Sequence, residues 1–160
     1  DERNLLDRLQ TIATNQECIA AFSHHDPVVQ HTAIRVIAAR GAASECFEAL
    51  DNNPANATHV LRALAMIHRP DVVDELIARM DQSSGEKQQA IFAALCRLHF
   101  TEGEWKGDSW GTRPDNRGPY YQPEPWVKSD TIRNKLEHTL SQASAKQASE
   151  LVRIMRANRN

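Results

Sequence analysis

The sequence lacks the closely spaced cysteines that attach haem or bind zinc. Cys18, Cys46 and Cys96 lie far apart and form no CxxC or CxxCH motif. Their odd number argues against a complete disulfide framework. Each lies within an apolar helical pattern, where a free thiol packs like a small hydrophobic side chain. We therefore predict three buried structural thiols and no cofactor.

Long apolar runs and an excess of basic charge are also missing. No run approaches the roughly 18 residues that a membrane-spanning helix needs, and no signal peptide is recognisable. The formal net charge is -2, whereas nucleic-acid binding is dominated by a basic field. We predict neither a membrane span nor a nucleic-acid partner. The chain opens within a helical pattern, so we expect it to be a piece of a longer protein.

An internal repeat with a period of about 30 residues organises the first hundred residues. The apolar segment 34–38 is followed 27 residues later by the similar segment 61–65, and segment 92–96 follows after a further 31 residues. Asp26-Pro27 and Asn53-Pro54 each place a capping side chain before a proline at the first helical position. Ser84 opens the third copy. The pattern predicts a unit of helix, turn and helix.

The remaining helices follow from apolar spacing and from helix-breaking residues. Shorter helices are predicted over 44–50 and 71–80, with Gly41 and Pro70 ending the helices before them. Ser129 or Asp130 is predicted to cap a further helix, and a last helix follows. The predicted core positions are Ile34, Ile37, Leu61, Leu64, Ile91, Leu95, Leu136 and Leu151.

These alanine-rich helix pairs resemble the short form of the HEAT-like repeat over about residues 1–100. The resemblance implies an all-α fold, an α-α superhelix, in a single domain over residues 1–160. We expect at least eight α-helices and no β-sheet beyond isolated bridges. Arg35 and Arg62 occupy equivalent repeat positions, and we expect them to form a structural ladder that bonds adjacent turns.

A Gly/Pro-rich segment, residues 101–126, interrupts the helical pattern. It contains all three tryptophans, both tyrosines, four of the six glycines and four of the seven prolines. Disordered segments are poor in aromatic residues, whereas long ordered loops are often functional. We call this segment the aromatic loop and predict that it is ordered and lies against the helices.

Within the aromatic loop, the string 110–115 reads Trp-Gly-Thr-Arg-Pro-Asp, and 118–121 reads Gly-Pro-Tyr-Tyr. Over about residues 85–135 the chain is similar to a segment of large multidomain secreted proteins of planctomycete and verrucomicrobial bacteria, of the membrane-bound dehydrogenase and haem-domain type. The resemblance implies a periplasmic or secreted location. It carries over no catalytic residues, and the haem motif of that family is absent here.

The aromatic loop supplies the candidate ligand-binding residues. In one interpretation its rings form a local core that fixes the loop. In a second, exposed rings stack on a sugar while polar neighbours bind its hydroxyl groups, and in a third they form a protein-binding surface. The candidates are Trp105, Asp108, Trp110, Arg113, Asp115, Arg117, Tyr120, Tyr121 and Trp126.

Other combinations of residues favour a metal only weakly. His24, His25, Asp26 and His31 include metal-ligand types, but adjacent histidines on a helix point to different faces. Glu102, Asp108 and Asp115 do not have the spacing of an EF-hand loop. We predict no metal site and no catalytic residues.

The sequence therefore predicts a non-catalytic protein-interaction or scaffold module, whose partners are other domains of the parent protein or a separate protein. A carbohydrate-binding module that uses the aromatic loop is the alternative. A DNA glycosylase-like HEAT enzyme is a weaker third hypothesis, because the chain is mildly acidic.

Overall fold

The part of the protein that the structure describes is mostly helical. The structure, a computed structural model, describes residues 2–107 and 120–158. This part contains nine α-helices, which confirms the prediction of at least eight: α1 (Glu2–Thr11), α2 (Asn15–Ala20), α3 (Pro27–Arg40), α4 (Ala43–Asn52), α5 (Ala57–Leu64), α6 (Pro70–Asp81), α7 (Gly85–Leu98), α8 (Ser129–Gln142) and α9 (Ala145–Ala157). None of these helices is long and apolar enough to cross a membrane.

One short sheet departs from the expectation of isolated bridges. Strands β1 (Thr101–Glu102) and β2 (Pro123–Glu124) pair antiparallel, with Thr101 opposite Glu124 and Glu102 opposite Pro123. The pairing joins the two ends of the aromatic loop. Strands this short leave little alternation of polar and apolar residues for a sequence pattern to detect.

The chain divides into two compact units, an N-terminal unit of residues 1–67 and a C-terminal unit of residues 68–160. In the N-terminal unit α3 packs between α1 and α5, while α2 contacts α4 and α4 packs against α5. Two ranges of 3₁₀ helix, Ala21–Ser23 and Pro54–Asn56, precede α3 and α5. Ser23 Oγ donates to Asn56 Oδ1 at 2.5 Å, so the two 3₁₀ segments are bonded to each other.

The start and end of α3 follow the predicted signals. The Asp26 carboxylate accepts from the backbone N–H of Val28 at 2.7 Å, and Pro27 occupies the first turn. Gly41 ends the helix with a φ of 64°, a left-handed conformation that glycine adopts without a side-chain clash. Local chemistry alone therefore fixes both ends of α3.

Two other predicted helix boundaries, the cap at Asn53 and the helix end at Pro70, differ from the prediction. The Asn53 side chain makes no capping bond. Instead, the Asn56 N–H donates to the Asn53 carbonyl at 3.1 Å and closes a 3₁₀ turn. Helix α5 therefore begins only at Ala57. Pro70 begins α6 and does not end the preceding helix, because its missing N–H costs nothing in the first turn. Both predictions were wrong in detail.

The C-terminal unit is built around α7, which packs against α6, α8 and α9. Lys128 Nζ lies 2.6 Å from Asp74 Oδ1, and Lys135 pairs with Asp81. Each pair joins residues 54 positions apart, so α6 and α8 run parallel. Exposed ion pairs contribute little stability, but these two define the register of α6 and α8.

The predicted core positions are confirmed. All eight are buried, and Ile37, Leu64, Ile91 and Leu95 are fully inaccessible. The three cysteines are also buried thiols that form no disulfide, as predicted. Burial raises the pKa of the Cys46 and Cys96 thiols from the ordinary value of 9.0 to about 12, and it raises the pKa of Cys18 as well.

Truncation of the core should destabilise either unit. We expect Leu64→Ala in the N-terminal unit and Leu95→Ala in the C-terminal unit each to cost about 2–5 kcal/mol, since each leaves a cavity. Urea denaturation measures the loss. Ile12→Ala is the control, because Ile12 is 73% exposed; an equal loss in this control would contradict the assigned core.

The thiols should resist alkylation in the folded protein. A raised folded-state pKa means that these groups contribute stability below pH 9.0 and that the contribution is lost as pH rises toward about 12. We expect iodoacetamide at pH 8 to leave Cys46 and Cys96 unmodified in the native chain and to modify both after unfolding. Rapid modification of the native protein, followed by mass spectrometry, would show that the thiols are accessible.

Candidate functional site

The carboxyl end of α7 accepts hydrogen bonds from Trp126, at the end of the aromatic loop, and from Ser129 and His68. The last carbonyls of a helix have no partner within it, and here three side chains donate to three consecutive carbonyls. Trp126 Nε1 donates to Leu98 O at 2.7 Å, Ser129 Oγ donates to His99 O at 2.6 Å, and His68 Nε2 lies 2.8 Å from Phe100 O. A carbonyl can only accept, so His68 carries its proton on Nε2.

Ser129 has a role that the helix-start pattern did not indicate. Helix α8 begins at Ser129, and neither Ser129 nor Asp130 is its N-cap; the N-cap is Lys128, which makes no side-chain capping bond. The buried Ser129 hydroxyl instead accepts from the backbone N–H of Trp126 at 2.8 Å and donates to α7. The same hydroxyl could have capped the helix, but it bridges the loop to α7.

His68 lies at the centre of an aromatic cluster with Tyr120 and Trp126. Its ring meets both of theirs edge to face, with centroids 6.0 and 5.4 Å apart. The Tyr120 hydroxyl lies 3.2 Å from His68 Nε2, and the Arg97 guanidinium carbon stands 3.8 Å from the centre of the Tyr120 ring. Burial raises the pKa of Tyr120, while the charge of Arg97 acts in the opposite direction. These contacts support the interpretation of the rings as a local core.

The two ends of the aromatic loop are joined by backbone bonds next to this cluster. The Glu102 carboxylate accepts from the N–H groups of Tyr121 at 3.0 Å and Gln122 at 2.7 Å. Gly103 N–H donates to Gln122 O at 2.7 Å. A Cβ at Gly103 would lie 2.7 Å from Glu124 Oε1 and 3.0 Å from the Gln122 carbonyl. A larger residue here would have to displace the Glu124 carboxylate and would crowd the Gln122 carbonyl. Residues 101–103 and 120–124 thus form a closed stem.

The candidate ligand-binding residues divide into three groups. Trp126 and Tyr120 are half-buried in the aromatic cluster. Tyr121 is 45% exposed, and the half-buried Trp105 has an indole N–H without a hydrogen-bond partner in the described residues. Asp108, Trp110, Arg113, Asp115 and Arg117 lie outside the described residues, so their predicted roles remain predictions.

The residues considered for metal binding have other contacts. His24 Nδ1 accepts from the Asp26 backbone N–H at 3.1 Å, and the rings of His24 and His25 lie 4.3 Å apart. His31 points to a different surface, and Glu102 is bonded within the stem. Across residues 2–107 and 120–158, no group of three or more His, Cys, Asp or Glu residues is arranged to hold a metal ion.

An open groove of about 550 Å³ lies along α3 in the N-terminal unit. One face of α3 supplies His31, Thr32, Arg35, Val36, Ala38 and Ala39 to its lining. Gln10 of α1 and Met66, which follows α5 and is 44% exposed, complete it. The opposite face of α3 packs Val29, Ala33, Ile34 and Ile37 into the core. We call this surface the α3 groove.

Arg35 is the distinctive residue of the α3 groove. It is exposed and forms no hydrogen bond or ion pair with any described residue, and the same holds for Arg62. The predicted arginine ladder is therefore wrong for the described part of the chain. Arg40, by contrast, does bond beyond its own helix: it donates to Ala13 O at 2.7 Å and to Asn15 Oδ1 at 3.2 Å.

Charge is unevenly divided among the helices of the N-terminal unit. Helices α3 and α5 carry Arg35, Arg40 and Arg62 and no acidic residue. Helices α2 and α4 carry Glu17, Glu45, Glu48 and Asp51 and no lysine or arginine. The overall net charge of -2 conceals this separation, and most of the residues that line the α3 groove belong to the basic helix α3.

No family model, curated protein or solved structure matches the chain. The functional conclusion therefore depends on the geometry of the aromatic cluster and the α3 groove.

The bond between Ser129 and α7 should contribute measurably to stability. Ser129→Ala leaves the buried His99 carbonyl without its donor, and we expect a loss of about 1–3 kcal/mol in urea denaturation. Ser141 is the matched control, since its hydroxyl also donates to a backbone carbonyl, His138 O at 2.7 Å, but at an exposed position. Ser141→Ala should change stability by under about 0.5 kcal/mol. Equal losses of stability in the two variants would mean that the bond from Ser129 to His99 O contributes no more than an exposed hydrogen bond.

Proposed function

We propose that the chain is a non-catalytic protein-interaction module built from HEAT-like helix pairs. The repeat of about 30 residues fits this class, since units of that size bury their apolar faces only by stacking on neighbours. Packing within each unit supports it. Helices separated by one intervening helix are neighbours, as α1, α3 and α5 are in one unit and α7 and α9 in the other.

The observation that carries the proposal is the α3 groove. Its lining combines Arg35, which bonds to no residue in the described part of the chain, with other polar side chains, the exposed Met66 and the small residues Ala38 and Ala39. Arginine and methionine are enriched where proteins bind proteins, and small residues leave room for an incoming side chain. The lining residues include the His31 imidazole but no carboxylate or thiol.

The similarity to the multidomain bacterial proteins supports one setting for such a module. In that setting the α3 groove binds another domain of the parent protein or a separate periplasmic or secreted protein. The closed stem and the aromatic cluster then hold the aromatic loop in position.

A carbohydrate-binding role for the aromatic loop is the second candidate. The exposed ring of Tyr121 favours it, because sugars bind to aromatic faces; the indole N–H of Trp105 is buried and does not face solvent. Tyr121→Ala should then abolish glycan-array binding and leave peptide binding intact.

A phage-displayed random peptide library, selected on the full chain, tests the first proposal. We expect selected peptides to bind the native protein and to lose at least about tenfold in affinity on Ala39→Trp, which fills the groove from an exposed position. Ala78→Trp is the matched control, since Ala78 is an exposed helical alanine on α6.

Circular dichroism should show both variants folded. If selection yields no binding peptide, or if Ala39→Trp and Ala78→Trp affect binding equally, the α3 groove is not a protein-binding site. Glycan binding that depends on Tyr121 would in that case favour the second candidate.

A further inference from the structure

We infer that the α3 groove binds a short acidic peptide segment in which carboxylates are interspersed with apolar side chains. The inference rests on the proposed function and names its partner by chemistry. It follows from three observations: the charge at the groove, the composition of its lining and its size.

The charge of the groove favours an anionic ligand. Arg35 is its one fully ionised residue, and no acidic side chain is among the lining residues. A guanidinium offers several N–H donors in a planar fork that matches a carboxylate. Gln10 and Thr32 add uncharged donors beside it. An incoming Asp or Glu side chain therefore finds an ionic partner and further donors.

The apolar part of the lining indicates what accompanies the carboxylate. Val36 and Met66 line the same groove as Arg35, and methionine adapts its shape to different apolar partners. The volume of about 550 Å³ holds a few side chains, within the usual range of ligand pockets. An apolar residue next to the acidic one in a peptide would occupy this part of the groove.

A nucleic acid matches the same surface less well. Phosphate backbones are bound by several cations in a row, whereas the groove contains one arginine, and no Phe, Tyr or Trp is among its lining residues for base stacking. The acidic helices α2 and α4 of the same unit would also repel a long polyanion. A short peptide meets the arginine without extending over those helices.

Fluorescence anisotropy on the full chain provides the test. The probes are a labelled peptide of repeating Glu-Glu-Leu, its Lys-Lys-Leu counterpart, and a single-stranded oligothymidylate. We expect the acidic peptide to bind most tightly. Arg35→Gln should weaken its binding by about tenfold, the scale of one charge-assisted hydrogen bond. Arg35→Lys should weaken it less, because the charge remains.

Arg62→Gln is the matched control, since Arg62 is exposed on the adjacent helix but does not line the groove. Its effect should stay within about twofold, a small surface effect. An equal effect of both substitutions would show diffuse attraction and overturn the groove assignment. Tighter binding of the basic peptide or the oligothymidylate would overturn the acidic-peptide inference.

Two further outcomes separate this inference from the proposed function. If selected library peptides bind in the groove but are not acidic, and Arg35→Gln leaves them bound, the inference fails and the interaction function stands. If no peptide binds, the proposed function itself fails. Sedimentation at increasing protein concentration measures self-association. If the chain self-associates and Arg35→Gln abolishes this, the acidic occupant is a second copy of the chain. That result would overturn the assignment to a separate peptide.

Discussion

The C-terminal unit depends on the hydrogen bonds that satisfy the carboxyl end of α7. Leu98 and His99 are buried, so their carbonyls cannot turn to water, and an unsatisfied buried carbonyl costs about 1–3 kcal/mol. The donors to this helix end come from three separate places: the segment between α5 and α6, the end of the aromatic loop and the start of α8. Satisfying one helix end therefore fixes how three segments approach it. The aromatic rings contribute burial, but the carbonyls determine where those rings lie.

Local sequence signals predicted the helices and core well, because they depend on residues within one or two turns. Apolar spacing located Ile34, Leu64 and Leu95 correctly, and the ends of α3 followed from Asp26 and Gly41. The prediction failed where a polar side chain has a distant partner. Ser129 bonds to α7, and Asn56, in the turn that replaced the expected cap at Asn53, bonds to Ser23. Capping boxes at Thr14–Glu17 and Ser144–Gln147 were visible as motifs in the sequence and were overlooked.

The candidate site was harder to predict than the fold. The tryptophans and tyrosines led to the prediction that the aromatic loop binds a ligand. Trp126 and Tyr120 instead pack against His68, and Trp126 donates to Leu98 O. The α3 groove is assembled from Gln10, Arg35 and Met66, which are far apart in the sequence and unremarkable individually. The net charge of the chain gives no indication of the groove, because a value near zero is the sum of basic and acidic helices. A helix-by-helix charge count, once helix boundaries were assigned, would have indicated the basic face of α3.

The closed stem at Gly103 has a consequence for how this protein can diverge. Its backbone bonds and the Glu102 carboxylate hold the two ends of the aromatic loop together before residue 107 and after residue 120. Insertions between those points need not alter the distance between the ends, and the entropy cost of a longer loop rises only slowly with length. The stem thus allows the intervening segment to change in sequence and length while the bonds at Glu102 and Gly103 keep its ends together.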